Sequence, residues 1–172
     1  MERPKTGDYP PYFEIYIQLV PENNPIKALQ KNIFLMADFV KKISPEKENF
    51  SYAKNKWTVK EVLGHIVDTE RIMAYRALRI ARNDKTNIEG FDEDAFVANA
   101  HFGKQSTDDL LNEYLLVRKS NIALFSTFNE EELQRKGIAN GKEITALAMI
   151  YMLTGHELHH LNILKERYFV GI

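Results

Sequence analysis

The sequence has no cysteine, which excludes disulfides, thiolate metal ligands and a cysteine nucleophile. Any thiol used in its chemistry must therefore come from another molecule. It also lacks an uninterrupted apolar run near the ~18 residues that a membrane-spanning helix needs. The opening residues, Met1-Glu2-Arg3-Pro4-Lys5-Thr6-Gly7-Asp8, have no apolar core of the kind found in signal peptides. A cytoplasmic protein without a membrane partner is expected. Excess charge is missing too: 23 Lys and Arg balance 24 Asp and Glu, and no basic cluster is free of interspersed acids. A nucleic-acid partner is therefore not expected, and a small-molecule substrate is the working assumption.

What is present is enough apolar material for a core. The 172 residues are 44% hydrophobic, which suits one domain over 1–172. Pro10 and Pro11 introduce Tyr12, Phe13, Tyr16, Ile17 and Val20, a short helix with an aromatic face. Ile26, Leu29, Ile33, Met36, Phe39 and Val40 recur at helical spacing and predict a long helix over 24–43. Thr58 and Glu61 have the form of a capping box, opening a second helix through Val62, Ile66, Met73, Ala77 and Ile80 to near Asn83.

The stretch 86–103 is too long for a plain loop and predicts a helical turn or two. Ser106 with Asp109 starts a third long helix, marked by Leu110, Tyr114, Val117, Ile122 and Phe125. Asn129 with Glu132 suggests another short turn. Asn140-Gly141 is a turn signal within a possible strand pairing over 138–144. The most apolar helix follows over 145–169. Four long helices with shorter ones in the connections predict an all-α four-helix bundle.

Only five histidines occur, and three fall on the predicted long helices in a suggestive way. His156 and His160 are one turn apart on the last helix, in line with Met149, Met152, Leu153 and Leu164, so both rings point inward. His65 sits at mid-depth on the second helix. Two readings stay open on spacing alone. The rings could converge on one cation in the bundle interior, or they could be core histidines bonded to backbone or to each other. Three neutral imidazoles would leave a coordination position open, and zinc, nickel, iron or manganese would accept such a set.

Asp68, one turn after His65, and Glu157, beside His156, are candidates for orienting ligands or moving protons, weighed against a solvated face or a simple salt bridge. Among Arg71, Arg76, Arg79 and Arg82, Arg76 falls nearest the His65 face. It could bind an acidic substrate group, although pairing with Glu70, Asp68 or a partner subunit is favoured. Tyr75, Arg76 and the aromatic N-terminal segment are candidates for a cavity wall. His159 reads as a bundle-edge residue and His101 as a loop residue. His156-Glu157-Leu158-His159-His160 also matches the H-E-x-x-H pattern of zinc proteases. That reading fares badly, because Glu166 lies on the wrong face of the same helix to be a third ligand and strands to pair an extended peptide are lacking.

The segments Trp57-Thr58-Val59-Lys60-Glu61-Val62-Leu63-Gly64-His65-Ile66-Val67-Asp68-Thr69-Glu70-Arg71, Tyr75-Arg76-Ala77-Leu78-Arg79 and Thr154-Gly155-His156-Glu157-Leu158-His159-His160-Leu161 resemble, in that order, the DinB-like superfamily. That group includes YfiT-like proteins described as metal-dependent hydrolases and the bacterial thiol S-transferases. The resemblance implies a four-helix bundle, frequently a homodimer, with a three-histidine site for a divalent cation, nickel or zinc. Carried over, the metal ligands are His65, His156 and His160. It implies an enzyme of the thiol S-transferase or hydrolase type, the former with a low-molecular-weight thiol such as bacillithiol as co-substrate. The competing reading is a non-catalytic metal- or ligand-binding stress-response module.

Overall fold

Helix boundaries in this chain are written by its caps. In a computed structural model that describes residues 3–169, Asn24 accepts from the Ile26 and Lys27 amides at 2.9 and 3.2 Å and Pro25 opens the first turn of α2, Pro25–Val40. It follows a single-turn helix α1, Glu14–Ile17. The Thr58–Glu61 box closes in both directions at the start of α3, Val59–Ala81, and Asn83, in the left-handed region at φ 63°, stops it. Asp92 caps α4, Glu93–Ala100, so the long connection does hold two helical turns. Reciprocal boxes at Ser106–Asp109 and Asn129–Glu132 open α5, Thr107–Phe125, and α6, Glu130–Gln134.

The expected strand pairing is real but small. Strands β1, Lys136–Ala139, and β2, Lys142–Thr145, pair antiparallel in register Ala139 to Lys142. Asn140 and Gly141 make the two-residue turn with φ 50° and 68°, as the right-handed twist of a hairpin requires. Thr145 then caps α7, Ala146–Ile163. The last helix departs from the expected 145–169: after Ile163 the chain widens into a π-turn, Leu164–Tyr168, with the Phe169 amide bonded to the Leu164 carbonyl. The wider turn keeps both Leu164 and Tyr168 buried and lets the Tyr168 hydroxyl donate to the Trp57 carbonyl at 2.7 Å.

The four long helices α2, α3, α5 and α7 form a bundle of uncommon connectivity. Helix α3 packs on α5 and α7, and α2 also packs on α5 and α7, so α2 and α3 are diagonal although consecutive among the four. The crossing segment is pinned by Glu48, which accepts from Lys60 Nζ at 2.9 Å and from the Thr107 hydroxyl at 2.7 Å. Helix α7 is apolar around its whole circumference because α1, α2 and α3 all cover it. Each fully buried Leu, Ile or Met is worth about 1.5–3 kcal/mol, against about 1 kcal/mol for a cap. Burial therefore drives α7 inside, and caps decide only where it starts. No helix among the described residues is long and apolar enough to cross a membrane.

A buried polar network joins all four helices at mid-height. Arg118 of α5 donates to Glu70 of α3 at 2.7 and 2.8 Å and to Glu157 of α7 at 2.7 Å. Asn32 of α2 and the Tyr114 hydroxyl donate to Glu157 at 3.0 and 2.6 Å, and Asn121 donates to Glu70 at 3.2 Å. Every carboxylate oxygen of the pair has a donor, the condition under which buried charge is tolerated.

Candidate metal centre

The capping box at Thr58 sets the rotation of α3, and the network at Glu157 sets that of α7; between them they aim His65 and the pair His156 and His160 at one another. His156 Nε2 lies 3.1 Å from His65 Nε2 and 3.0 Å from His160 Nε2, and one ring nitrogen from each residue falls in a group within 4.8 Å. His156 Nε2 carries either one hydrogen or one lone pair, so it cannot pair well with both neighbours. A single cation among the three satisfies all of them. Ligands at 2.0–2.1 Å from a tetrahedral ion are about 3.3 Å apart, within a few tenths of the two separations at His156.

Electrostatics also suits the cation. Burial pushes His65 down to about 4 and His160 down to about 3, the latter helped by His65 and His159. Burial, then the neighbouring imidazoles, holds His156 well below the ordinary range. All three are neutral at pH 7, so no proton has to leave before a metal binds.

The folded values lie below the ordinary 6.5, so the neutral cluster's contribution to stability is complete above that pH and is lost as pH falls toward 4 and 3. In metal-free protein the urea midpoint is therefore expected to drop between pH 7 and pH 5, and to drop less in His160→Gln. Equal slopes for the two proteins would contradict this.

The cluster opens on a cavity of about 480 Å³. Its roof is the N-terminal segment, where Tyr16 lies edge-on to His156 and His159 at ring-centre distances of 5.6 and 5.3 Å. Arg3 ties that segment down, donating to the Val20 and Ile17 carbonyls at 2.6 and 2.8 Å. Helix α1 comes so close to α7 that a Cβ at Gly155 would collide with the Tyr16 carbonyl, so glycine is required there. Trp57 closes one wall, its ring 4.6 Å from His65.

The other candidates separate. Asp68 and Glu157 are not part of the cavity wall: Asp68 is paired with Arg71 at 3.6 Å, and Glu157 is buried on the opposite side of α7 in the Arg118 network. Arg76 does line the cavity, and its expected pairings with Glu70 and Asp68 do not form, since Glu70 belongs to Arg118 and Asp68 to Arg71. Tyr75 is exposed outside the cavity, beside Arg79, and His101 sits in the loop after α4. His159 is half-buried at the cavity edge. Arg118 and Asn32 escaped the sequence reading, and Tyr114 entered it only as an apolar marker of the third long helix. Their signal was a charged residue in the inward stripe Thr107, Leu110, Tyr114, Arg118, Asn121 and Phe125.

No curated protein is significantly similar in sequence. Among solved structures, YfiT from Bacillus subtilis, described as a probable metal-dependent hydrolase with an unusual four-helix bundle topology, superposes with a TM-score of 0.75 at 18% identity, covering 83% of this chain and 82% of that one. A mycothiol-dependent maleylpyruvate isomerase superposes with a TM-score of 0.67 at 11% identity, covering 85% of this chain but 61% of that one. At such identities these likenesses establish the bundle and its connectivity, and leave the reaction to the chemistry of the site. The sequence profile that matches spans residues 28–164, from α2 through both histidine helices, and by that match the chain belongs to the DinB superfamily.

Proposed function

We propose that His65, His156 and His160 hold a divalent cation, nickel or zinc, and that the protein is a metal-dependent enzyme acting on a small molecule in the adjoining cavity. The observation that carries this reading is the convergence of three neutral imidazoles, His65 and His156 buried and His160 partly so, on the wall of a cavity rather than inside a closed shell. A cation held by three imidazoles supplies Lewis acidity toward a water or thiol at its open position.

The chain's own residues supply the rest. Tyr16 and Trp57 pack against the imidazoles and hold water back from them. The apolar wall at Met73, Met149 and Met152 accepts the body of a substrate. Because the chain has no cysteine, any thiol nucleophile comes from a co-substrate, whereas hydrolysis would use a water at the same open position. The fold likeness to a protein described as mycothiol-dependent supports a thiol co-substrate, and the likeness to YfiT, described as a probable metal-dependent hydrolase, supports hydrolysis.

To test this, zinc- or nickel-loaded protein is incubated with monochlorobimane with and without bacillithiol, and in parallel with simple esters and amides. Thiol-dependent acceleration that chelation abolishes is expected. Ester or amide turnover alone would select the hydrolase, and stable metal binding with no turnover in either arm would overturn the enzyme in favour of a binding module.

A further inference from the structure

Three arginines lie along α3 and a fourth, Arg82, stands at its C-cap, and three of the four are matched by acids: Arg71 by Glu113 and Asp68, Arg79 by Asp84, and Arg82 by Glu132. Arg76 is different. It is 5% exposed, and no carboxylate among the described residues is within ion-pair distance of it. Its Nη2 donates to the Glu89 carbonyl at 2.7 Å, its Nη1 touches Met73 Sδ at 3.6 Å, and its Nε has no partner. A cation taken out of water without a counter-charge is costly, and such residues are almost never buried unless paired.

The second orphan lies in the same place. Thr69 is 2% exposed and its hydroxyl has no partner. Both residues line the cavity that holds the three imidazoles, and His65, Thr69, Met73 and Arg76 form one stripe along α3. Helical side chains lean toward the N-terminus, and the contact of Arg76 with Met73 shows its guanidinium leaning back along that stripe toward Thr69. The far side is Met149 and Met152 of α7, two turns and one turn before His156. The cavity is thus graded: imidazoles at one end, methionines in the middle, and at the other the guanidinium of Arg76, whose Cα is about 16 Å along α3 from that of His65. Glu93, the one acid on the wall among the described residues, is exposed at its rim.

We propose that Arg76, with Thr69, is the recognition site for a carboxylate, and that the ligand is an elongated acid whose apolar body lies along the methionines toward the imidazoles. The unpaired Nε and the unpaired hydroxyl are two spare donors, which suits the two oxygens of a carboxylate better than the more heavily hydrated phosphate. As a statement of substrate class this rests on the enzyme reading above, whereas binding of the acid does not require the metal.

The sole tryptophan, Trp57, lies on the same cavity wall, so its fluorescence reports occupancy. The protein, with and without added zinc, is titrated with octanoate and with 1-octanol. Octanoate is expected to bind about tenfold or more tightly than the alcohol, the value of one charge-assisted hydrogen bond. Arg76→Gln should bring the ratio to about one, and Thr69→Val should weaken octanoate severalfold. Equal affinities in the wild type, or a preference that survives in folded Arg76→Gln, would overturn the assignment. If circular dichroism shows Arg76→Gln unfolded, the Arg76 Nε–H resonance of the wild type decides: it must shift with octanoate and not with octanol. Failure of zinc uptake with the octanoate preference intact would sink the enzyme reading alone.

Discussion

Arg118→Met is expected to lower the melting temperature by on the order of 10 °C, or to prevent folding altogether. Arg118 is fully buried and, among the described residues, is the only cation bonded to the buried carboxylates of Glu70 and Glu157. Removing one member of a buried ion pair costs about 3–5 kcal/mol, because the charge left behind has lost its water and gained nothing. Here one substitution strands two carboxylates, in a protein whose total stability is about 5–15 kcal/mol. At about 2–4 °C per kcal/mol for a chain of this size the expected shift follows. Arg71→Met is the control, since its partner Glu113 is on the surface, and such pairs contribute at most about 1 kcal/mol. Adding Glu70→Gln and Glu157→Gln to Arg118→Met should recover part of the loss. A shift for Arg118→Met no larger than the control's would show that the network is not what holds the helices in their diagonal order.

The second large effect is on metal affinity. Tetrahedral zinc sites in small peptides bind with about 10–16 kcal/mol over four ligands, so each ligand accounts for about 3 kcal/mol, on the order of a hundredfold. His65→Ala, His156→Ala and His160→Ala should each lose at least that factor in a competition titration with a chromophoric chelator. His159→Ala, which removes the half-buried imidazole edge-on to Tyr16, should change affinity little. The contrast between His160 and its neighbour His159 separates ligation from a general effect of losing an aromatic ring on α7. Equal losses at both positions would contradict the proposed ligand set.

Much of the architecture is local and so was readable. Thr58 with Glu61, Ser106 with Asp109, Asn129 with Glu132 and Asn140 with Gly141 act within four residues of themselves, and each produced the cap or turn that its side-chain chemistry demands. The diagonal placement of α2 and α3 was not readable, because it depends on contacts between segments far apart in the chain. Arg118 was hidden for a related reason. A charged side chain in an amphipathic pattern reads as solvent-facing, and Val117 and Ile122 offered an alternative stripe that displaced the true one. Glu157 beside His156 looked like part of the metal chemistry, yet one residue on a helix is a turn of about 100° and carries its carboxylate to the far side of α7. The widening of the last helix at Leu164 follows from burying Leu164 and Tyr168 together, again a tertiary demand.

The convergence of His65, His156 and His160 on one ion is the centre of this account, and an anomalous-difference map from crystals of the zinc-loaded protein tests it most directly. One peak is expected per chain, about 2.0–2.1 Å from an Nε2 atom of each of the three histidines and facing the cavity beneath Tyr16. An empty cluster with zinc bound elsewhere, or a peak held by fewer than these three rings, would contradict it.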